Sequence, residues 1–513
     1  MSALPTPTLV LVTALAAFLV FLAHPRAHAT PLPPGPKPLP IIGNVCDLKF
    51  RELWLRATKW AQTYGAVVYL QFFGQGIVFL NSVEAATELM ERRSVIYSDR
   101  VAMVMCSELC GASDMVAFTH YGPMARRQRR LMSLGLGASR IRSYQPLIAS
   151  STLPFLRALL SSPQDRVAPI RQYAGGLNLH VVYGLNVKGF EDPLLMKVEE
   201  VTELLANEIA GAGLWAVDVF PFLKYLPAWM PGMSFKRKAA RWKLEIEESV
   251  DLPFEEAKRQ IREGTAVPSF CASLLENVGD DRKGEEHDIK WTANSMYAAA
   301  MDTTIATVQL FFLAMMQYPL VQHRAQRELD SVLGTDTVRL PTFEDRVNLP
   351  YVEAIWEEIL RWAVPVPLGL PHRLMEDDVY CGMVIPKGTI VFANIWAMLH
   401  DPTVYHSPHD FNPDRFLDKS DESLLRRRDP RNVVFGFGRR RCPGNHLVES
   451  SIWLLLTTML TVFDISKPLN SNGVPLEPSV VFENPVFRRN PKPFEVDIRP
   501  RSAQIHKLIY EES

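Results

Sequence analysis

The chain has 513 residues, 47% hydrophobic and 22% charged, with a net charge of −1. That is ordinary globular composition with ample material for a large core, and it lacks the global basic field that would draw nucleic acid. The six cysteines, at 46, 106, 110, 271, 381 and 442, show neither a CxxC pair for zinc nor a dense disulfide framework, which suits a reducing compartment.

Residues 8–23, TLVLVTALAAFLVFLA, carry no charge, and with residues 4–7 they approach the length needed to span a bilayer. No Lys or Arg precedes them, whereas Arg26, Lys37, Lys49 and Arg51 follow. This predicts an anchor at 1–30 with the body on the cytosolic side. A cleaved signal peptide is the alternative, with Ala27-His28-Ala29 as its cleavage site. Against it stand the lack of a basic residue before the stretch and of any N-x-S/T sequon. Residues 31–43, with the run LPPGPKPLPIIG, read as a stiff, extended hinge, or equally as a plain spacer. The remaining stretch, 44–513, shows no linker or internal repeat and reads as one large domain.

Residues 67–80, VVYLQFFGQGIVFL, predict a hairpin turned around Gly74-Gln75-Gly76. Residues 384–392 predict a strand pair around Pro386-Lys387-Gly388, and 482–498 another, turned at Asn490-Pro491. Between these the chain reads as mostly helical, so the fold class is mainly α with small peripheral β-sheets. The longest helix is expected from about Trp291 to Gln317, stopping before Pro319. It is apolar on nearly every side and should cross the middle of the molecule. Within it, Asp302 and Thr303 place an acid beside an alcohol, where a buried acid needs a partner or a task. The hydroxyl can bond back one turn and locally open the helix. The pair is then either a proton relay or a structural cap and packing residue.

Glu358 and Arg361, in WEEILRW, share a helix face at i,i+3. With Arg415 of NPDRF they read as a structural network holding the loop around Cys442, or as a common surface pair. The run FGFGRRRCPG, Phe435 to Gly444, sets Cys442 in a loop shaped by Gly436, Gly438 and Gly444. A thiolate held this way can ligate haem iron and favour O–O cleavage over reversible O2 binding. Haem carries two propionates and needs fixed cations. Arg129, Arg373 and Arg440 are the candidates, with His372 as a further one. Arg126, Arg127 and Arg130 read as solvated. The basic runs Arg426-Arg427-Arg428 and Arg439-Arg440-Arg441 read as a face for an acidic partner, or as solvated charge.

Together these residues resemble the cytochrome P-450 family of haem-thiolate monooxygenases, from the proline run to the C-terminal strands. Phe435, Gly438, Arg440, Cys442 and Gly444 match F-x-x-G-x-R-x-C-x-G. Glu358 and Arg361 match its ExxR, Arg415 its third member, and Asp302-Thr303 its acid–alcohol pair. LPYVEAIWEEILRW and IPKGTIVFANIWAMLHDP resemble fungal microsomal members of secondary metabolism. The resemblance implies haem b on an axial Cys442 thiolate and single-pass residence in the endoplasmic reticulum membrane. It also implies electrons from NADPH through an acidic flavoprotein reductase, with cytochrome b5 as a further partner. The implied reaction is O2-dependent hydroxylation or related oxidation of a lipophilic terpenoid, polyketide or fatty molecule. Substrate would meet residues 101–118, 206–235 and 364–371 and the turn near Val486, among them Met103, Met105, Trp215, Phe220, Phe222 and Trp229. Many of these can instead be core or face the membrane.

Three positions depart from the family: Ala125 in place of Trp, Ala300 in place of Gly, and Asp414 in place of Glu. The first removes an indole N–H from a propionate. Two other functions stay open: a haem-thiolate isomerase or dehydratase that needs no reductase, and a non-catalytic haem-binding protein.

Overall fold

A computed structural model describes residues 30–48, 51–162, 165–187, 189, 192–210, 215–276, 282–334, 339–418, 422–477, 482–483 and 488–511. The expected anchor at 8–23 and the turn at Val486 lie outside these residues. The chain forms two compact units. One holds residues up to Val101 with Leu368–Met398 and Phe437–Arg439, and the other holds Ala102–Pro367, Leu399–Gly436 and Arg440–Ser513.

The first unit carries helix α1 (Leu53–Tyr64) and a five-stranded sheet of order β1-β2-β7-β4-β3. Its strands are β1 (Val67–Phe72), β2 (Gln75–Leu80), β3 (Asp99–Arg100), β4 (His372–Arg373) and β7 (Ile390–Ala393). The predicted hairpin is β1–β2, with Val67 opposite Leu80. Its turn is the two-residue pair Phe73-Gly74, both at positive φ, which matches the twist of the strands better than the wider turn expected from the glycines. The expected strand pair within 384–392 does not form. Strand β6 (Met383–Ile385) pairs with β5 (Asp378–Tyr380), whereas β7 pairs parallel to β2 and antiparallel to β4. Buried Val391 and Phe392 find an apolar partner in β2, which a tight hairpin on half-exposed β6 would not give them. The proline run lies along strands of both sheets of this unit: Tyr69 of β1 donates to Pro34 O and Val384 of β6 to Pro31 O, while Asn44 bonds Pro36 O and exchanges bonds with Gln71.

The larger unit is helical. Its longer helices are α2 (Pro123–Leu136), α3 (Ala138–Ser161), α4 (Val167–Tyr183), α5 (Pro193–Glu203), α6 (Phe235–Glu263), α7 (Arg282–Gln317), α8 (Pro319–Leu333), α9 (Pro350–Ala363) and α10 (Asn445–Val462). Prolines open α2, α5, α8 and α9 at their first positions, where no N–H is needed. The Glu328 carboxylate, reaching from α8, accepts the first amides of α9 from Tyr351 and Val352 at 2.8 and 2.9 Å. Helix α7 is the predicted central helix, nine residues longer at its start, and it stops at Pro319 as expected. Val308, Leu310, Phe311, Phe312, Ala314 and Met315 show almost no exposed surface, so this part of α7 is buried all round, and the helix packs on α4, α9 and α10. Strand β8 (Phe463–Ser466) pairs with β11 (Asp497–Pro500), and β9 (Phe482–Glu483) with β10 (Asn490–Pro491). Asn490-Pro491 is thus strand rather than the predicted turn, with Pro491 at a position where its missing N–H is tolerated.

Candidate active site

Cys442 closes a loop between the short helix Arg431–Val434 and the N-terminus of α10. Its amide donates to Phe435 O at 2.7 Å, tying the two ends of the motif together. Gly438, in the first unit, has φ +57°, and a Cβ there would sit 2.1 Å from Met90 O, so only glycine fits. The Cys442 side chain has an exposed residue's accessible surface, yet surrounding protein desolvates it enough to push the thiol upward. Both hold because the sulfur faces an internal opening. Amides of Gly444 and Asn445, at the positive end of α10, and the charges of Arg129 and Arg441 pull the other way. A bound cation would complete that pull and displace the proton.

Arg129, on α2, donates to Arg441 O at 2.6 Å; burial lowers its guanidinium, and charge at Cys442 opposes this. Arg440 is buried and donates to Thr119 O at 2.7 Å and Val116 O at 3.3 Å. Arg373 lies in β4 of the first unit, and its neighbour His372 is tied by Nδ1 to Tyr97 O at 2.7 Å. Ala125 is buried in α2. Arg126 and Arg130 are exposed as read, whereas Arg127 pairs with Asp288. The second basic run is not a surface patch: Arg440 is buried and Arg441 donates to Arg431 O, leaving Arg426, Arg427 and Arg439 exposed.

On α7, Thr303 Oγ1 donates to Ala299 O at 3.1 Å, the predicted back-bond. The helix nevertheless runs unbroken through this point, because the hydroxyl shares the carbonyl rather than displacing the ladder. Ala299 is exposed in the middle of this buried helix, so it too faces an opening. In a close-packed interior, space left at a thiol and at the central helix is the kind of room a bound haem would need. Asp302 is ion-paired with Arg488, which also bonds Asn207 at 3.0 Å. Burial raises the Asp302 carboxyl against the pull of Arg488 and Arg171. A small cavity is lined by Asp302, Thr303, Ala306, Pro365, Arg488 and Asn490. Beside it Val364, buried and β-branched, is held at φ 39° just before Pro365, a strained backbone at a cavity wall. Arg488 was not foreseen; it lies 186 residues from Asp302 and stands in no recognisable pattern.

Glu358 and Arg361 are fully buried, not a surface pair. Arg361 contacts both carboxylate oxygens at 2.6 and 2.7 Å, and Arg415 approaches at 3.3 Å. Arg361 also donates to Leu399 O, Pro408 O and Asp410 O. These bonds grip residues 399–412. Among the described residues none of these bonds reaches 435–444. Asp414 instead pairs with Arg324. Of the expected substrate contacts, Met105 is core and Trp215 packs on Trp242 with ring centroids 5.9 Å apart. Phe220, Phe222 and Trp229 are exposed.

The chain matches the cytochrome P-450 family model over residues 33–496. It is 39% identical to cytochrome P-450 monooxygenase 208 of Postia placenta, across 99% of this chain and 97% of that protein. It is 38% identical to cytochrome P-450 monooxygenase claR of Ampulloclitocybe clavipes, across 99% and 94%. With the tryptamine 4-monooxygenase of Psilocybe cyanescens the identity is 37%, across 94% and 96%.

Proposed function

Because the chain belongs to the cytochrome P-450 family and is a monooxygenase of that family, we propose that it oxidises a lipophilic small molecule of secondary metabolism. Electrons would come from NADPH through a flavoprotein reductase, with cytochrome b5 as an optional second donor. The observation that carries this is the Cys442 thiol, facing an opening beneath the N-terminus of α10. Haem bound there through the thiolate would supply the activation of O2.

The chain's own residues have distinct tasks in this reading. Phe435 O and the amides of Gly444 and Asn445 orient Cys442 and lower the cost of its negative charge. Arg129 and Arg440 would be the cations for haem propionates, Arg373 is a further candidate, and Ala125 offers no indole donor to join them. Thr303 keeps its hydroxyl proton on Ala299 O and offers its lone pairs to the opening. Asp302, whose carboxyl burial raises, can hold a proton for Thr303 at that wall, with Arg488 as the counter-charge. The uncharged apolar stretch 8–23 and the exposed Phe222, Tyr225 and Trp229 support approach of the substrate from a membrane surface, that of the endoplasmic reticulum in this reading. One relative is named for tryptamine, so an aromatic amine belongs in the screen beside terpenoids and polyketides.

The test is the reduced carbon monoxide difference spectrum of the membrane-expressed chain, followed by turnover with a reductase. A strongly red-shifted band that Cys442→Ala abolishes is expected, and a band unchanged by that substitution would sink the ligand assignment. Thr303→Ala should keep haem and divert NADPH electrons to peroxide. Product formation without NADPH consumption would transfer the chain to the isomerase reading.

A further inference from the structure

The bonds of the Glu358 triad end on residues 399–412, and the structure assigns a further hold on the cysteine loop to Arg431, a positioning residue that fixes Cys442 from outside the triad. This rests on the haem-thiolate reading above.

Arg431 sits at the start of the short helix that leads into the loop. Its guanidinium meets four carboxylates. Nε bonds Glu449 at 3.0 Å, Nη1 bonds Glu357 at 2.7 Å and Asp429 at 3.4 Å, and Nη2 bonds Glu353. Glu353 and Glu357 stand on α9 and Glu449 on α10, so one side chain joins the helix before the loop's approach to the helix that follows the cysteine. Arg346 doubles the link, bonding Glu353 at 2.8 Å and Glu449 at 3.2 Å, while Trp356 donates to Glu449 at 3.0 Å. Burial opposes the charge on Arg431, but Glu449, Glu357 and Glu353 outweigh it and keep the guanidinium firmly protonated.

The backbone of Arg431 extends the hold to the cysteine. Its carbonyl accepts from Arg441 Nη2 at 2.8 Å, and the carbonyl of Arg441 accepts from Arg129 at 2.6 Å. Cys442 follows Arg441 directly, and its own amide is bonded to Phe435, four residues beyond Arg431. Three anchored points thus bracket the thiol. Without Arg431, Arg346 alone would answer Glu353 and Glu449, Glu357 would lose its cation, and the excess negative charge would loosen α9 from α10 under the loop.

The experiment compares full-length wild type, Arg431→Met and Arg431→Lys at a temperature well below unfolding. The reduced carbon monoxide spectrum is read per bound haem, and deuterium uptake is followed in the peptide spanning 431–445. Arg431→Met should bind haem yet lose its red-shifted thiolate band about tenfold faster than wild type, as about 1.4 kcal/mol of lost positioning would give. Exchange in 431–445 should rise with it, and Arg431→Lys should recover most of both signals. If Arg431→Met yields no folded protein, Glu357→Gln removes a single partner and should show the same change at two- to threefold. A thiolate band as long-lived as in wild type, in whichever of these two variants folds, overturns the inference, because mere fold support would move the melting temperature alone. Wild type separates the two readings. A wild type without the thiolate band sinks the oxygenase assignment, whereas identical bands in wild type and variant sink the role of Arg431 alone.

Discussion

Replacing Arg361 with methionine should be among the most damaging single substitutions in this chain. Its guanidinium uses five donor bonds: two to Glu358 at 2.6 and 2.7 Å, and three to the carbonyls of Leu399, Pro408 and Asp410 at 3.1, 2.7 and 3.1 Å. Neither charged partner has exposed side-chain surface. Methionine would leave the Glu358 carboxylate buried with only Arg415, at 3.3 Å, and the amide of Asn412, at 2.7 Å, to balance it. Breaking one side of such a pair costs about 3–5 kcal/mol, against a total stability of about 5–15 kcal/mol. Lysine keeps the charge but not the planar fork, and should lose about 2 kcal/mol through bonds it cannot reach. The decisive variant is double, Glu358→Met with Arg361→Met. It removes both charges of the pair and leaves Arg415 on the carbonyls of His406 and Asp410, so it should cost less than the two single changes added together, with a coupling of about 2 kcal/mol. Urea unfolding of the detergent-solubilised chain, followed by tryptophan fluorescence, gives the four values. Where unfolding is irreversible, unfolding rates replace them. A single substitution costing under about 1 kcal/mol, or strictly additive values, would refute the account of this pair as mutually dependent buried charges.

Two further outcomes follow from local geometry. Asp345 accepts from Arg339 at 2.6 and 2.7 Å and from the Thr342 amide at 2.8 Å, chiefly the arginine bonds holding its carboxyl down at about 2. The folded value lies below the unfolded value of about 3.9. Its stabilisation is therefore complete above that value and fades as pH falls toward 2. Acid titration of stability should flatten in that window in Asp345→Asn, and an unchanged slope would remove Asp345 from acid denaturation. Gly438→Ala should abolish haem-binding protein, since its Cβ would lie 2.1 Å from the Met90 carbonyl. Gly436→Ala, at φ +76° in open space, should lose only about 1–2 kcal/mol. Equal yields of haem protein from the two would show that the contact with Met90 is not what demands glycine.

Chemistry carried by neighbours in the sequence was legible there. The cysteine loop, the i,i+3 spacing of Glu358 and Arg361 and the adjacent Asp302 and Thr303 are short-range patterns. The end of α7 follows from the proline that stops it and its central place from residues apolar on nearly every side, whereas its first nine residues were not foreseen. The two-residue turn at Phe73-Gly74 and the pairing of β7 with β2 were not legible, because strand partners are chosen by which surfaces become buried together.

What the sequence by itself determined is the kind of protein this is. A cysteine between glycines and arginines needs no distant partner to be recognised, since its loop is shaped within ten residues. Only the tertiary structure decided which charge answers which. Arg488 meets Asp302 across 186 residues, and Arg431 meets Glu353 and Glu357 across more than 70. An arginine in a sequence carries no mark of its partner. Electrostatics inside a protein are settled by burial and distance, and both exist only after helices such as α9 and α10 have packed.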